Sequence, residues 1–434
     1  MRLVSTLTRA SLSAAVLLAI STQANAAVDA KLLDMLRANG SINAAQHAEL
    51  KAELESEKQA QQVAAAEQAK KNTSFEQKVA WAAKTQIKGD VRLRHESINV
   101  DGSTDGATGA AGGPPADRNQ DRQRVRARVG VYSEINPQVD GGIRIATGSS
   151  ADSRSTNQSL DGAFTKKSLW LDQAYLDWHP TAIKDLHLIG GKMAQPWVSM
   201  GDVIWDGDIN PEGVAATYKM PLGGAELFGS AGYYVLTDNV DGEGRQFNHD
   251  LRLYAGQAGA KFALGDSLKW TLGGSIYSYD NDGDTAVGGV LAANGNGYNE
   301  FTLYEGFTQL DISGLPLPLS VYGQYVLNGE AERTATVGKQ DTAWLAGIKT
   351  KFAGFGLDYN YRDVQRNAVV GAFTDSDFAN GFTGSRGHKV KLGYEIDKNF
   401  AVGATYFLAE SDVASATRRD ADVRTLQVDL EAKF

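Results

Sequence analysis

The chain has 434 residues, a formal charge of −9 and no cysteine. The acidic balance argues against a nucleic-acid partner, which needs a basic footprint, and the lack of cysteine excludes disulfide staples and thiolate metal sites. With 42% hydrophobic residues, 47 glycines, 16 tyrosines and 15 phenylalanines, the composition suits a β-rich protein with one wet face.

Residues 1–26 read as an export signal. Arg2 and Arg9 give a positive start, Leu12 to Ile20 an apolar stretch, and Ala24-Asn25-Ala26 a small-x-small cleavage pattern, which predicts cutting after Ala26. No later stretch approaches the roughly 18 consecutive apolar residues of a membrane-spanning helix. A membrane position for the rest of the chain therefore demands a closed barrel, because only that leaves no backbone group unpaired in lipid.

Residues 27–84 are rich in Ala, Glu, Gln and Lys, contain no proline, and predict helix. Leu32, Leu33, Met35 and Leu36 form a short apolar cluster that Asn39-Gly40 ends, and a second helix starts near Ser41–Asn43. Leu50, Leu54, Gln61, Ala64 and Gln68 recur at roughly heptad spacing, polar in the second half. The segment reads either as a periplasmic coiled coil joining three copies or as a solvated tether.

From residue 85 the hydrophobic period changes to two. Sixteen strands are predicted, at 85–96, 122–134, 138–148, 167–179, 186–194, 212–220, 224–237, 248–263, 267–279, 298–313, 316–328, 341–352, 354–364, 387–397, 399–410 and 420–434. The connections alternate short and long throughout: turns such as Gly265-Asp266 and Asp397-Lys398 against loops such as 97–121, 195–211 and 365–386. A soluble sandwich has no reason to sort loops by parity, whereas an outer-membrane barrel has short turns on one side and long loops on the other. The fold expected is all-β: a 16-stranded antiparallel transmembrane barrel over 85–434 behind a short helical segment over 27–84.

Individual strands carry an apolar face. Val390, Leu392, Tyr394 and Ile396 alternate with Lys389, Lys391, Gly393 and Glu395, and Leu426, Val428, Leu430 and Ala432 alternate up to a terminal Phe434. Sixteen strands enclose a lumen too wide for side chains to fill, so the apolar faces are expected to meet lipid. The strands at 167–179 and 248–263 have mixed faces and permit no assignment.

Arg122, Arg124, Arg126 and Arg128 share one face of the second strand, Lys88, Arg92 and Arg94 one face of the first, and Arg144 stands between two isoleucines on the third. An arginine facing lipid costs about 2–4 kcal/mol at the midplane, so this basic wall is expected to line the lumen. It reads as an anion track, since guanidinium forks suit oxyanions, or as a wall stiffened by pairing with Asp90, Glu96, Asp117, Asp121 and Glu134. The third long loop, 195–211, carries Trp197, Met200, Ile204 and Trp205 among Asp202, Asp206 and Asp208, while the other long loops read as small and polar. Such a loop is expected to fold inward as a constriction with its aspartates facing the arginines, or to pack on the rim. Asp280, Asp282 and Asp284 resemble the start of a calcium loop, but Leu291 stands where its glutamate belongs. The six histidines are scattered, no Gly-x-Ser-x-Gly elbow occurs, and no cofactor or metal spacing is visible.

Four stretches together resemble the putative-porin family, relatives of the phosphate-selective porins. They are Leu32-Leu33-Asp34-Met35-Leu36 with Asn39-Gly40-Ser41-Ile42; Lys88-Gly89-Asp90-Val91-Arg92-Leu93-Arg94 with the arginine strand; Asp172-Gln173-Ala174-Tyr175-Leu176-Asp177-Trp178 with Leu188 to Pro196; and Trp205-Asp206-Gly207-Asp208. The resemblance implies a trimeric 16-stranded barrel in outer-membrane lipid and lipopolysaccharide, passive transport of small hydrophilic solutes, and a C-terminal strand ending in Phe434 that the barrel-assembly machinery reads. The long loops lack the dense lysine cluster of the phosphate-selective members, which points to a broader, anion-favouring passage. The alternative is a plugged or structural barrel, an adhesin or scaffold.

Overall fold

The structure, a computed structural model, describes residues 30–101, 117–238, 250–283, 291, 293–297, 300–333, 338–412 and 420–434. The export signal and Asp284 lie outside the described residues. Two units are distinct, one ending at Ala83 and one beginning at Lys84.

In the first unit, α1 (residues 30–38) ends at Gly40, whose φ of +76° a side chain would resist. Ser41 N–H donates to Leu36 O at 2.9 Å and Gly40 N–H to Arg37 O at 3.2 Å, a Schellman cap. Asn43 and Gln46 then exchange side-chain to backbone hydrogen bonds of 2.9 and 3.1 Å and start α2 (Ala44–Ala83). Of the heptad positions, Leu54 is buried and Leu50 exposed.

The second unit is one closed sheet. Its strands are β1 (Thr85–Asp101), β2 (Arg118–Asn136), β3 (Val139–Thr147), β4 (Leu169–Trp178), β5 (Leu186–Lys192), β6 (Glu212–Leu222), β7 (Ala225–Thr237), β8 (Leu251–Leu264), β9 (Leu268–Asp280), β10 (Thr302–Ile312), β11 (Leu319–Asn328), β12 (Thr342–Phe352), β13 (Phe355–Val364), β14 (Ser385–Glu395), β15 (Phe400–Ser411) and β16 (Ala421–Lys433). Each pairs antiparallel with its sequence neighbour, and β16 pairs with β1 to close the ring. A two-residue piece, Gln158–Ser159 in the second long loop, adds to β2. The closure is finished by the last residue: Phe434 exchanges two 3.0 Å backbone hydrogen bonds with Gly89. Its ring lies where a Cβ at Gly89 would stand, so this position needs glycine.

The outer face is apolar. Leu93, Val131, Ile143, Trp178, Leu222, Tyr304, Ile348, Leu392 and Leu430 all stand exposed there. A soluble protein would not spread such a surface over every strand; a barrel in lipid requires it. The two unassigned strands have specific causes. In β4 a bulge sets Asp172 and Gln173 together against Arg144, so both turn inward and the alternation shifts by one. In β8, Leu251, Leu253 and Ala255 are buried on the inner face, because a loop covers them. The lumen is therefore not polar all round.

Candidate functional site: the lumen between two inward loops and a charged wall

The inner faces of β7 to β12 carry Tyr234, Leu251, Leu253, Tyr277, Leu303, Phe307, Val326 and Leu345, which form one apolar cluster with Trp197, Met200, Val203, Ile204, Trp205 and Ile209 of the third loop. Trp197 stands at the centre. Its ring is 5.0 Å from Trp205, 5.8 Å from Tyr234 and 5.5 Å from Tyr277. The loop begins under a polar clasp, in which Gln257 receives Val198 N–H at 2.8 Å and donates to Val198 O at 2.9 Å. Burying these rings drives the loop inward.

The seventh long loop, here 365–384, lies beside it. The sequence reading of this loop as small and polar is corrected: Val369, Val370 and Phe378 are buried, and Phe373 stacks on Trp205 at 5.4 Å. The short run Ala368-Val369-Val370 and the separate Phe373 and Phe378 follow neither strand nor helix period, which is why the pattern hid them. The two loops are stitched by main-chain hydrogen bonds from Asp206 N–H to Phe373 O (2.7 Å) and from Asp375 N–H to Asp202 O (3.0 Å). Thr374 Oγ1 adds a bond to Val203 O (2.7 Å). Arg154 of the second long loop, itself buried, donates to Gly371 O and Gly381 O.

Opposite the apolar half, the register aligns the arginines. Asp90 faces Arg128, Arg92 faces Arg126, Arg94 faces Arg124 and Glu96 faces Arg122 across β1 and β2. Most of these guanidiniums hold a carboxylate. Arg126 and Arg128 each reach Asp90 at 2.8 Å, Arg122 and Arg124 share Glu96, and Arg144 takes Asp172. Arg94 is gripped at two nitrogens by Asp429 and donates to Asp377 of the seventh loop at 3.1 Å. The partners proposed from sequence are corrected in two cases. Asp121 alternates onto the outer face with Gln123, and Glu134 pairs with Lys84 at the short-turn end. Lys88 stands exposed near that end, its ammonium 5.8 Å from the Tyr132 ring.

The three loop aspartates take different surroundings. Asp208 reaches Arg128 at 3.4 Å and accepts from Thr156 N–H and Oγ1. Asp202 is 3.8 Å from Lys389 of β14. Asp206 accepts from Ser376 N–H and Asp208 N–H. Burial, then the neighbouring Asp375, Asp202 and Asp208 carboxylates, push Asp206 well above the usual carboxylate range. Burial also opposes ionisation of Asp375, but Lys389, Arg362 and the N–H groups of Asp377 and Phe378 overcome it and hold that carboxyl low.

Between loops and wall lies a cavity of about 730 Å³, lined among others by Arg92, Arg94, Arg126, Asp206, Asp208, Asp377, Lys389, Lys391 and Asp429. Sequence reading missed Lys349, Lys389, Lys391, Asp429 and Glu431. Their signal was the polar parity of strands read only for their apolar parity.

A closed 16-stranded barrel, apolar outside and charged within, is the architecture of an outer-membrane channel. The sequence matches the putative porin family over residues 42–292 and 329–434, and the chain belongs to that family. It is also 60% identical over 38 residues to "Phosphate starvation-inducible protein 1" of Pseudomonas fluorescens, 9% of this chain and 97% of that protein. The fold is similar to that of Pseudomonas putida OprB (TM-score 0.51, 11% identity, 83% of this chain and 96% of that one). A Salmonella typhi OmpF structure matches at TM-score 0.47 and 14% identity over 81% of this chain and 97% of its own. The protein is an outer-membrane porin.

Proposed function

We propose that the barrel allows passive diffusion of small hydrophilic solutes and favours anions. The observation that carries this reading is the charged cavity of about 730 Å³ between the inward third loop and the arginine wall. A channel's preference is set by local potential at its narrowest part rather than by net charge, so a chain of formal charge −9 can still pass anions. Liposome swelling tests the reading: folded protein should admit small sugars and amino acids, and vesicles that do not swell would contradict it. A second reading, a barrel closed by its loops and serving as a scaffold, draws on the stitching of the third and seventh loops; it requires a silent planar bilayer.

Three further assignments belong to the same proposal. Residues 1–26 are an export signal cut after Ala26. The mature protein assembles as a homotrimer in contact with lipopolysaccharide, the helices over 27–84 lying in the periplasm and supporting the trimer; a heat-sensitive trimer undiminished by deleting 27–84 would show them dispensable. Phe434 ends the strand that the barrel-assembly machinery reads.

A further inference from the structure

The arginine wall is conspicuous in the sequence, yet its charges are largely spent. Arg94 serves Asp429 and Asp377, Arg126 serves Asp90 and Glu431, and Arg128 serves Asp90 and Asp208. An ion pair presents a dipole to a passing solute, and its field falls off faster than that of a lone charge. The cations that act most strongly on a passing anion are those on the cavity with no carboxylate of their own.

Among the described residues there are two. Arg92 donates one hydrogen bond, from a terminal nitrogen to Asn157 Oδ1 at 2.7 Å, and its Nε finds no acceptor. Lys391 makes neither a hydrogen bond nor a salt bridge and stands exposed. The other cavity cations are all matched, Lys349 by Asp358, Lys351 by Glu395 and Lys389 by Asp202 and Asp375. The wall beside Lys391 is also bare. Gly356, Gly393 and Gly403 face one another in register across β13, β14 and β15, and a Cβ at Gly393 would meet nothing nearer than Val402 O at 3.9 Å.

We infer that Arg92 and Lys391, on opposite sides of the Asp429 strand, are the residues that set anion preference, and that the paired arginines brace the wall. The ligand class is a small anion, halide or oxyanion, that takes an uncommitted ammonium and guanidinium in turn. Oxyanions suit the pair because both groups offer donors without a competing carboxylate. This assignment rests on the channel reading above and narrows it to two side chains.

The test is the reversal potential of single channels in a potassium chloride gradient. Lys391→Gln and Arg92→Gln should each lower the chloride-to-potassium permeability ratio about six-fold, because one unit charge roughly 8 Å away in water changes the chloride and potassium terms a little over two-fold each and in opposite directions. The double variant Arg126→Gln/Glu431→Gln removes one charge of each sign, leaves Asp90 with Arg128, and should keep the wild-type ratio. Lys391 has no partner to strand, so Lys391→Gln folds, and Lys391→Glu should shift the ratio further in the same direction. A chloride preference that survives Lys391→Gln/Arg92→Gln, or is lost in Arg126→Gln/Glu431→Gln, overturns this assignment and leaves the channel standing. A bilayer that stays silent with folded wild-type protein overturns the channel reading as well.

Discussion

The two halves of the lumen obey one alternation rule and reach opposite chemistry. On β14 to β16 and β1 to β3 the inner positions include Lys389, Lys391, Asp429, Glu431, Arg94 and Arg126, with Ile98, Val100, Phe407 and Val423 buried nearer the long-loop end. On β7 to β12 the inner positions are Tyr234, Leu253, Tyr277 and Leu345, and the outer ones apolar too. The first half faces the charged cavity, and Phe378 of the seventh loop covers only its long-loop end. The second meets the third and seventh loops, which bring their own tryptophans, valines and phenylalanine. A strand with two apolar faces thus signals a loop folded against it, and the open passage is displaced toward the charged half.

Releasing the third loop should have the largest effect. Trp205→Ala removes a buried ring that contacts Trp197, Tyr277 and Phe373, which costs about 3–5 kcal/mol of local packing. The third loop should become sensitive to protease and single-channel conductance should rise; unchanged conductance with an intact loop would count against the packing. Next is Gln257→Ala, which strands both polar groups of Val198 at about 1–3 kcal/mol. It should add open-channel noise in bilayer recordings without changing the barrel's circular dichroism. Asp377→Asn removes the seventh loop's charged tie to Arg94. About five-fold faster proteolysis of residues 365–384 is expected, since Asp429 still holds Arg94 and a neutral amide keeps the hydrogen bond but loses about 1 kcal/mol of charge assistance. The smallest effect is one of pH. Asp206 is held above the ordinary carboxylate range, so its ionisation costs stability as pH rises through its folded value. The loop pair should therefore be firmer at mildly acidic than at mildly alkaline pH, and Asp206→Asn should flatten that slope in a protease-sensitivity series.

The barrel was legible because loop parity and period-two patterning are repeated sixteen times, and every strand predicted from sequence has a counterpart. The β4 bulge was not legible, since one extra residue shifts parity without leaving a compositional mark. The third loop was conspicuous through Trp197 and Trp205, whereas the seventh was hidden because its apolar residues follow neither strand nor helix period and its partners are distant in sequence, as Phe373 lies from Trp205. The arginines of β2 were visible as a run. Pairing with Asp90 and Glu96 was legible as one of the two readings of that run, but the part played by Asp429 and Glu431 was not, because they reach Arg94 and Arg126 only through barrel closure.

The chain has no native cysteine, so single cysteines can locate the passage directly. Gly393→Cys places a thiol on the bare charged wall, and Ala343→Cys places one under the loops, where the residue is fully buried. A charged methanethiosulfonate added during bilayer recording should step the current down in Gly393→Cys and leave Ala343→Cys unaffected. Rapid modification of Ala343→Cys with no response at Gly393→Cys would contradict a passage along the charged half of the lumen.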